Sequence, residues 1–129
     1  MKRCIRACLA AAALLTATPL AAHHSFSAEY DQHKALKLTG KVTSMRWSNP
    51  HAWIYIDVTG PDGKVVSWSL ETAAANQLYR RGWRKEDLVF GTLLVVEGYQ
   101  ARNGGPTANA SSLILPDGRR LFAGSAGTS

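Results

Sequence analysis

The residues of this 129-residue sequence best suited to chemistry are histidines, and two of them, His23 and His24, stand side by side directly behind Ala21-Ala22. Imidazole is a common metal ligand, and nitrogen-rich sets favour copper or nickel in square or tetragonal geometry. A cut after Ala22 makes His23 the first residue, so that its α-amine and ring can chelate one Cu(II) ion together. A cut after Ala21 leaves Ala-His-His, where the amine, two deprotonated amides and the His24 ring can surround Cu(II) or Ni(II) in a plane. The alternative is two polar residues near a chain end. His51, in Ser48-Asn49-Pro50-His51-Ala52-Trp53, falls at a turn between two expected strands. It either completes a three-histidine site with His23 and His24 or hydrogen-bonds to a neighbouring backbone group. His33, in a polar YDQHK stretch, is expected to face solvent.

Two further sets could bind partners. Trp53, Tyr55 and Tyr99 are candidates for an outward ligand face that stacks on sugars or bases, whereas Trp68 alternates with core residues and most aromatic rings, Trp47 included, suit packing. Arg80, Arg81 and Arg84 cluster around Gly82-Trp83 and could meet an anionic partner, or simply compensate a helix terminus with Trp83 tucked against the domain. No catalytic residues stand out. Ser25 and Ser27 lie near histidines without a placed acid, and neither paired carboxylates nor a phosphate-cradling glycine motif is present.

Everything upstream of the histidine pair has the layout of a secretory signal peptide. Lys2, Arg3 and Arg6 make a positive start, ACLAAAALL (7–15) is the apolar run, and small residues with Pro19 lead to a cut after Ala21 or Ala22. Cys4 and Cys8 precede the apolar run, where a lipidated cysteine should follow it. The whole sequence carries 15 basic and 9 acidic residues, a net charge of +6, and two cysteines. Removing residues 1–22 leaves 12 basic and 9 acidic groups, a net charge of +3 and no thiol. The disulfide and zinc-thiolate readings go with the cysteines, and a nucleic-acid partner is not expected of an exported domain with so modest a charge. No run reaches the 18 or more apolar residues of a membrane-spanning helix.

The elements that must hold the histidines are mostly strands. LKLTGKVTSMRW (36–47) reads as a long strand bent at Gly40, ended by Asn49-Pro50. AWIYIDV (52–58) and KVVSWSLE (64–71) alternate apolar and polar residues around the turn Gly60-Pro61-Asp62-Gly63, and predict a hairpin with Val66, Trp68 and Leu70 facing inward. Thr72 is the expected cap of a helix ending at Arg80-Arg81-Gly82. RKEDL (84–88) adds a single turn, and strands follow at TLLVVEGYQAR (92–102), ASSLILP (110–116) and RRLF (119–122). Three strands, a helix and further strands predict a mainly β fold, a small five- to six-stranded OB-fold-like barrel with one helix between the third and fourth strands. It would span 23–124 as a single domain, with a disordered tail at 125–129.

Across this length the sequence resembles a family of small exported bacterial proteins classed as a domain of unknown function. The residues that carry the likeness are AHHSF (22–26), GKVTSMRWSNPHAWIYIDV (40–58), RRGW (80–83), VEGYQARNG (96–104), TANA (107–110) and LPDGRRLFAG (115–124). The resemblance implies export and a small β-rich domain, and brings no activity. From the residues themselves, the expected function is periplasmic metal binding, of copper, through His23, His24 and His51. A non-metal module that docks a glycan, lipid or protein is the alternative, and copper-dependent oxidation a more distant third.

Overall fold

The computed structural model describes residues 26–125, and most of them lie in strands. A short helix α1 (Phe26–Glu29) leads into β1 (Tyr30–Arg46), β2 (Trp53–Thr59) and β3 (Val65–Glu71). Helix α2 (Ala75–Arg80) and a 3₁₀ turn (Lys85–Asp87) follow, then β4 (Leu93–Ala101), β5 (Thr107–Ile114) and β6 (Arg120–Phe122). The fold is mainly β, with α2 between the third and fourth strands as the sequence predicts. Strand β1 starts six residues before its predicted start at Leu36, because Tyr30 already pairs with Ala101 on β4 across a bulge.

The strand order is β3-β2-β1-β4-β5-β6, and a short parallel pairing of β3 with β5 joins the two sides. Strands β1, β2, β3, β5 and β4 therefore form a ring, and β6 hangs on β5. Strand β1 serves both sides: Ala35 to Lys41 pair with β4, and Lys41 to Arg46 pair with β2. Gly40 sits at that changeover, where an added Cβ would stand 2.7 Å from the Asp57 carbonyl oxygen. Inside the ring, Val42, Ile54, Ile56, Leu70, Leu94, Val96 and Leu113 are almost wholly removed from water. Leu78 of α2 and Trp83 join the same core, which explains why the segment after β3 returns to the ring.

Alternation held along β2, where Ile54 and Ile56 are fully buried and Trp53 and Tyr55 are only partly covered. It weakened at the start of β3, where Val66 remains 45% exposed because the hairpin extends past the core. Thr72 does not cap α2. Its hydroxyl donates instead to the carbonyls of Ala52 and Ala73, and Ala74 is the residue before the helix. The first helical N–H groups are satisfied from the β1–β2 turn: Ala75 N–H donates to Ser48 O, and Asn76 N–H to Asn49 Oδ1 at 3.3 Å. The Ser48-Asn49-Pro50-His51 turn is thus the support of the helix start, a long-range role that local capping rules do not reveal.

Candidate functional site

The turn that supports α2 also carries His51, and the end of β3 lies directly beneath it. Ala52 is bonded to the two residues after β3, with Thr72 N–H donating to Ala52 O at 3.0 Å and Ala52 N–H to Ala73 O at 3.2 Å. Ser48 Oγ–H donates to the His51 carbonyl at 2.7 Å. These bonds fix the His51 backbone against β3. Its ring then places Nδ1 3.1 Å from Glu71 Oε1 and 3.2 Å from the Thr72 carbonyl oxygen. Both are acceptors, so Nδ1 carries the hydrogen and the lone pair of the neutral ring lies on Nε2.

Glu71 is buried, its side chain 9% exposed, whereas the His51 side chain is 44% exposed. A buried carboxylate needs partners on both oxygens. Its second oxygen, Oε2, accepts a short hydrogen bond from the Tyr30 hydroxyl. A chain of contacts therefore runs from His51 at the surface through Glu71 to Tyr30, which is 3% exposed. Tyr30 in turn packs on Phe26, with ring centroids 5.5 Å apart, and Phe26 sets its edge against Tyr99 at 5.7 Å.

Burial, donation to Glu71 and the nearby charges of Glu71 and Glu29, in that order, push the Tyr30 phenol far above its usual range. The folded protein thus keeps a proton on Tyr30 that the unfolded chain releases near pH 10, so the stability Tyr30 contributes is fully present below that pH and is lost as pH rises beyond it. In an ultraviolet phenolate titration, one of the four tyrosines is expected to stay protonated until the protein unfolds. Tyr30→Phe should remove that late step. A Tyr30→Phe protein with the same late step would contradict the assignment.

Of the residues singled out in the sequence, His51 is placed at the turn as expected, bonded to a backbone carbonyl and also to a carboxylate. His23 and His24 lie outside the described residues. Among the described residues, no group of three or more histidine, cysteine, aspartate or glutamate side chains is placed to hold a metal ion. Trp53 neighbours His51: it helps line the shallow depression of Arg46, Ser48, Asn49, Pro50 and His51, and also an open groove of ≈ 410 Å³ beside Tyr30, Arg102 and Thr107. The Arg46 guanidinium stands 5.8 Å from the Trp53 ring centre. Trp53 and Tyr55, two residues apart, share one face of β2, whereas Tyr99 stands on β4, across β1, opposite Ala35.

The basic cluster is partly tied to the domain itself. Arg81 donates to Gly124 O at 2.9 Å, and Arg84 donates to the carbonyls of Tyr79 and Trp83 while stacking over the Tyr79 ring at 4.2 Å. Arg80 is exposed at the helix end, His33 is exposed on β1, and Trp83 is fully buried. The residues that sequence reasoning missed are Tyr30, Glu71 and Phe26. Glu71 ends an alternating strand and Tyr30 opens a polar stretch, and their contact spans 41 positions of sequence, beyond any local pattern.

A ring of strands with a histidine–carboxylate–tyrosine chain at one end is the setting in which the relationship to known proteins falls. The chain belongs to DUF6152, a family of unknown function whose model matches residues 11–110. That span includes Tyr30, His51 and Glu71 and stops within β5. No curated protein and no solved structure gave a match. Among the described residues, no helix is long and apolar enough to cross a membrane.

Proposed function

We propose that this is an exported, periplasmic copper-binding protein in which His51 joins His23 and His24 around one ion, on a ring of strands that we read as an OB-fold-like barrel. The strand order β1-β2-β3-β5-β4 with α2 after β3 supports the barrel reading. The observation that carries the metal reading is the orientation of His51. Metal-bound histidines commonly donate their other ring N–H to a carboxylate or a backbone carbonyl, which fixes the ring and raises its basicity. His51 has both acceptors on Nδ1, leaving Nε2 to coordinate.

Chain connectivity supports the partners. His24 is two residues before Phe26, at most about 7 Å of extended chain, and Phe26 packs on the tyrosine that bonds Glu71. With the signal peptide removed, the amine, the His23 or His24 ring and His51 Nε2 supply a set of nitrogen donors of the kind Cu(II) favours.

The test is a Cu(II) titration of the processed protein, its first residue established by mass spectrometry. One equivalent is expected to bind, more weakly in His24→Ala and in His51→Ala, with nitrogen superhyperfine structure in the electron paramagnetic resonance spectrum that simplifies in each variant. Equal affinity of the native protein and His51→Ala would overturn the shared site.

A further inference from the structure

Strand β3 ends in the ring but begins outside it. Residues Ser69, Leu70 and Glu71 pair with Thr107, Ala108 and Asn109 of β5, whereas β3 pairs with β2 along its whole length, from Val65 opposite Thr59 to Glu71 opposite Trp53. The first half of β3, Val65 to Trp68, therefore has a strand on one side only among the described residues.

Which backbone groups face the open side follows from two bonds. At the turn, Gly60 N–H donates to Lys64 O, so the even-numbered residues of β3 address β2. At the other end, Ser69 N–H donates to Pro106 O, so the odd-numbered residues address β5. Val65 and Ser67 thus turn an N–H and a C=O each toward the side where β5 has not yet begun. The Ser67 hydroxyl donates to Asp57 Oδ1 at 2.6 Å across the β2 pair, as side chains do at the closely spaced, non-hydrogen-bonded positions. Val65 is 59% and Val66 45% exposed.

Natural sheet edges are usually blunted by charge, proline or a bulge. The segment Val65-Val66-Ser67-Trp68 has none of these. We propose that this edge pairs with the same edge of a second copy, antiparallel about a two-fold axis at Val66, so that Val65 of one copy faces Ser67 of the other. Such pairing is self-complementary: the N–H and C=O of Val65 and of Ser67 in each copy meet their counterparts, and Lys64 of one copy falls opposite Trp68 of the other, so no like charges oppose each other from Lys64 to Trp68. It joins the two rings through one continuous sheet and covers the exposed valines. A second copy fits this edge better than a charged peptide, because nothing between Val65 and Trp68 offers a charge to recognise.

The experiment is sedimentation equilibrium of the processed protein over a wide concentration range, with EDTA present so that metal cannot bridge the copies. A reversible dimer is expected. Val66→Lys places two ammonium groups opposite each other on the axis, and Ser67→Pro removes an outward N–H from each copy without touching the β2 ladder. Each should raise the dimer dissociation constant about tenfold or more. Circular dichroism and thermal unfolding of the two variants check that each still folds, and either one that folds suffices for the comparison. A native protein that stays monomeric throughout, or a folded variant that dimerises as the native protein does, would each overturn the proposal.

Discussion

Replacing Glu71 by alanine is expected to weaken the proposed Cu(II) binding by about 10–100-fold, the range typical of losing the partner that orients a ligand, and to lower stability by about 1–3 kcal/mol. The two effects have separate origins. The proposed copper site would suffer because His51 Nδ1 loses the carboxylate 3.1 Å away and keeps only the Thr72 carbonyl, so the ring is less firmly aimed. Stability suffers because the buried Tyr30 hydroxyl is left without its acceptor.

Glu71→Gln separates them. Its amide oxygen can still accept from Tyr30, while its NH₂ group now faces His51 Nδ1–H, donor against donor. Stability should largely recover in this variant and copper affinity should not. Urea denaturation and Cu(II) competition titration read the two quantities independently. If Glu71→Gln restored the full affinity, the carboxylate would have no part in orienting the ligand.

Alanine at Gly98 is expected to destabilise the domain by about 3 kcal/mol or more, at or above the upper end for overpacking. Its Cβ would stand 2.1 Å from the Asn109 carbonyl oxygen and 3.0 Å from the carbonyl carbon. The obstacle is backbone, which cannot rotate aside, and it sits where the β4–β5 register shifts between Glu97 and Gly98. Asn109 is also paired with Glu71 across the parallel junction and donates its side-chain N–H to Ser125 Oγ at 2.7 Å. Any retreat of β5 would therefore pull on the ring closure and on the strand end that holds Glu71. Gly63→Ala is the control: φ there is +78° with nothing within 4 Å of the added Cβ, so only the local strain of the left-handed conformation applies, about 1–2 kcal/mol. The shift in urea midpoint should be clearly larger for Gly98→Ala. Equal shifts would mean that β4 and β5 separate easily at this point.

Where the strands lie was legible in the sequence because it follows from local periodicity and turn chemistry. Ile54 and Ile56 against Trp53 and Tyr55, and the Gly60-Pro61-Asp62-Gly63 turn, each act within a few residues. The same locality explains the misassigned cap. A threonine before a helix is a good cap by type, yet Thr72 is drawn to Ala52 by pairing with a distant turn, and the β1–β2 turn satisfies the helix instead.

The candidate ligands His23, His24 and His51 were legible by residue type, since imidazole chemistry needs no neighbours to be recognised. What the sequence determined by itself was therefore the mainly β character, the helix after the third strand and the identity of a histidine at the β1–β2 turn. Only the tertiary structure decided that β5 meets the end of β3 and leaves its beginning open. It alone decided that Glu71 lies between His51 and Tyr30, which are 20 and 41 positions away along the chain. The physical reason is that a buried carboxylate must find donors wherever the packed ring brings them, and ring closure is a non-local event that no short window of sequence contains.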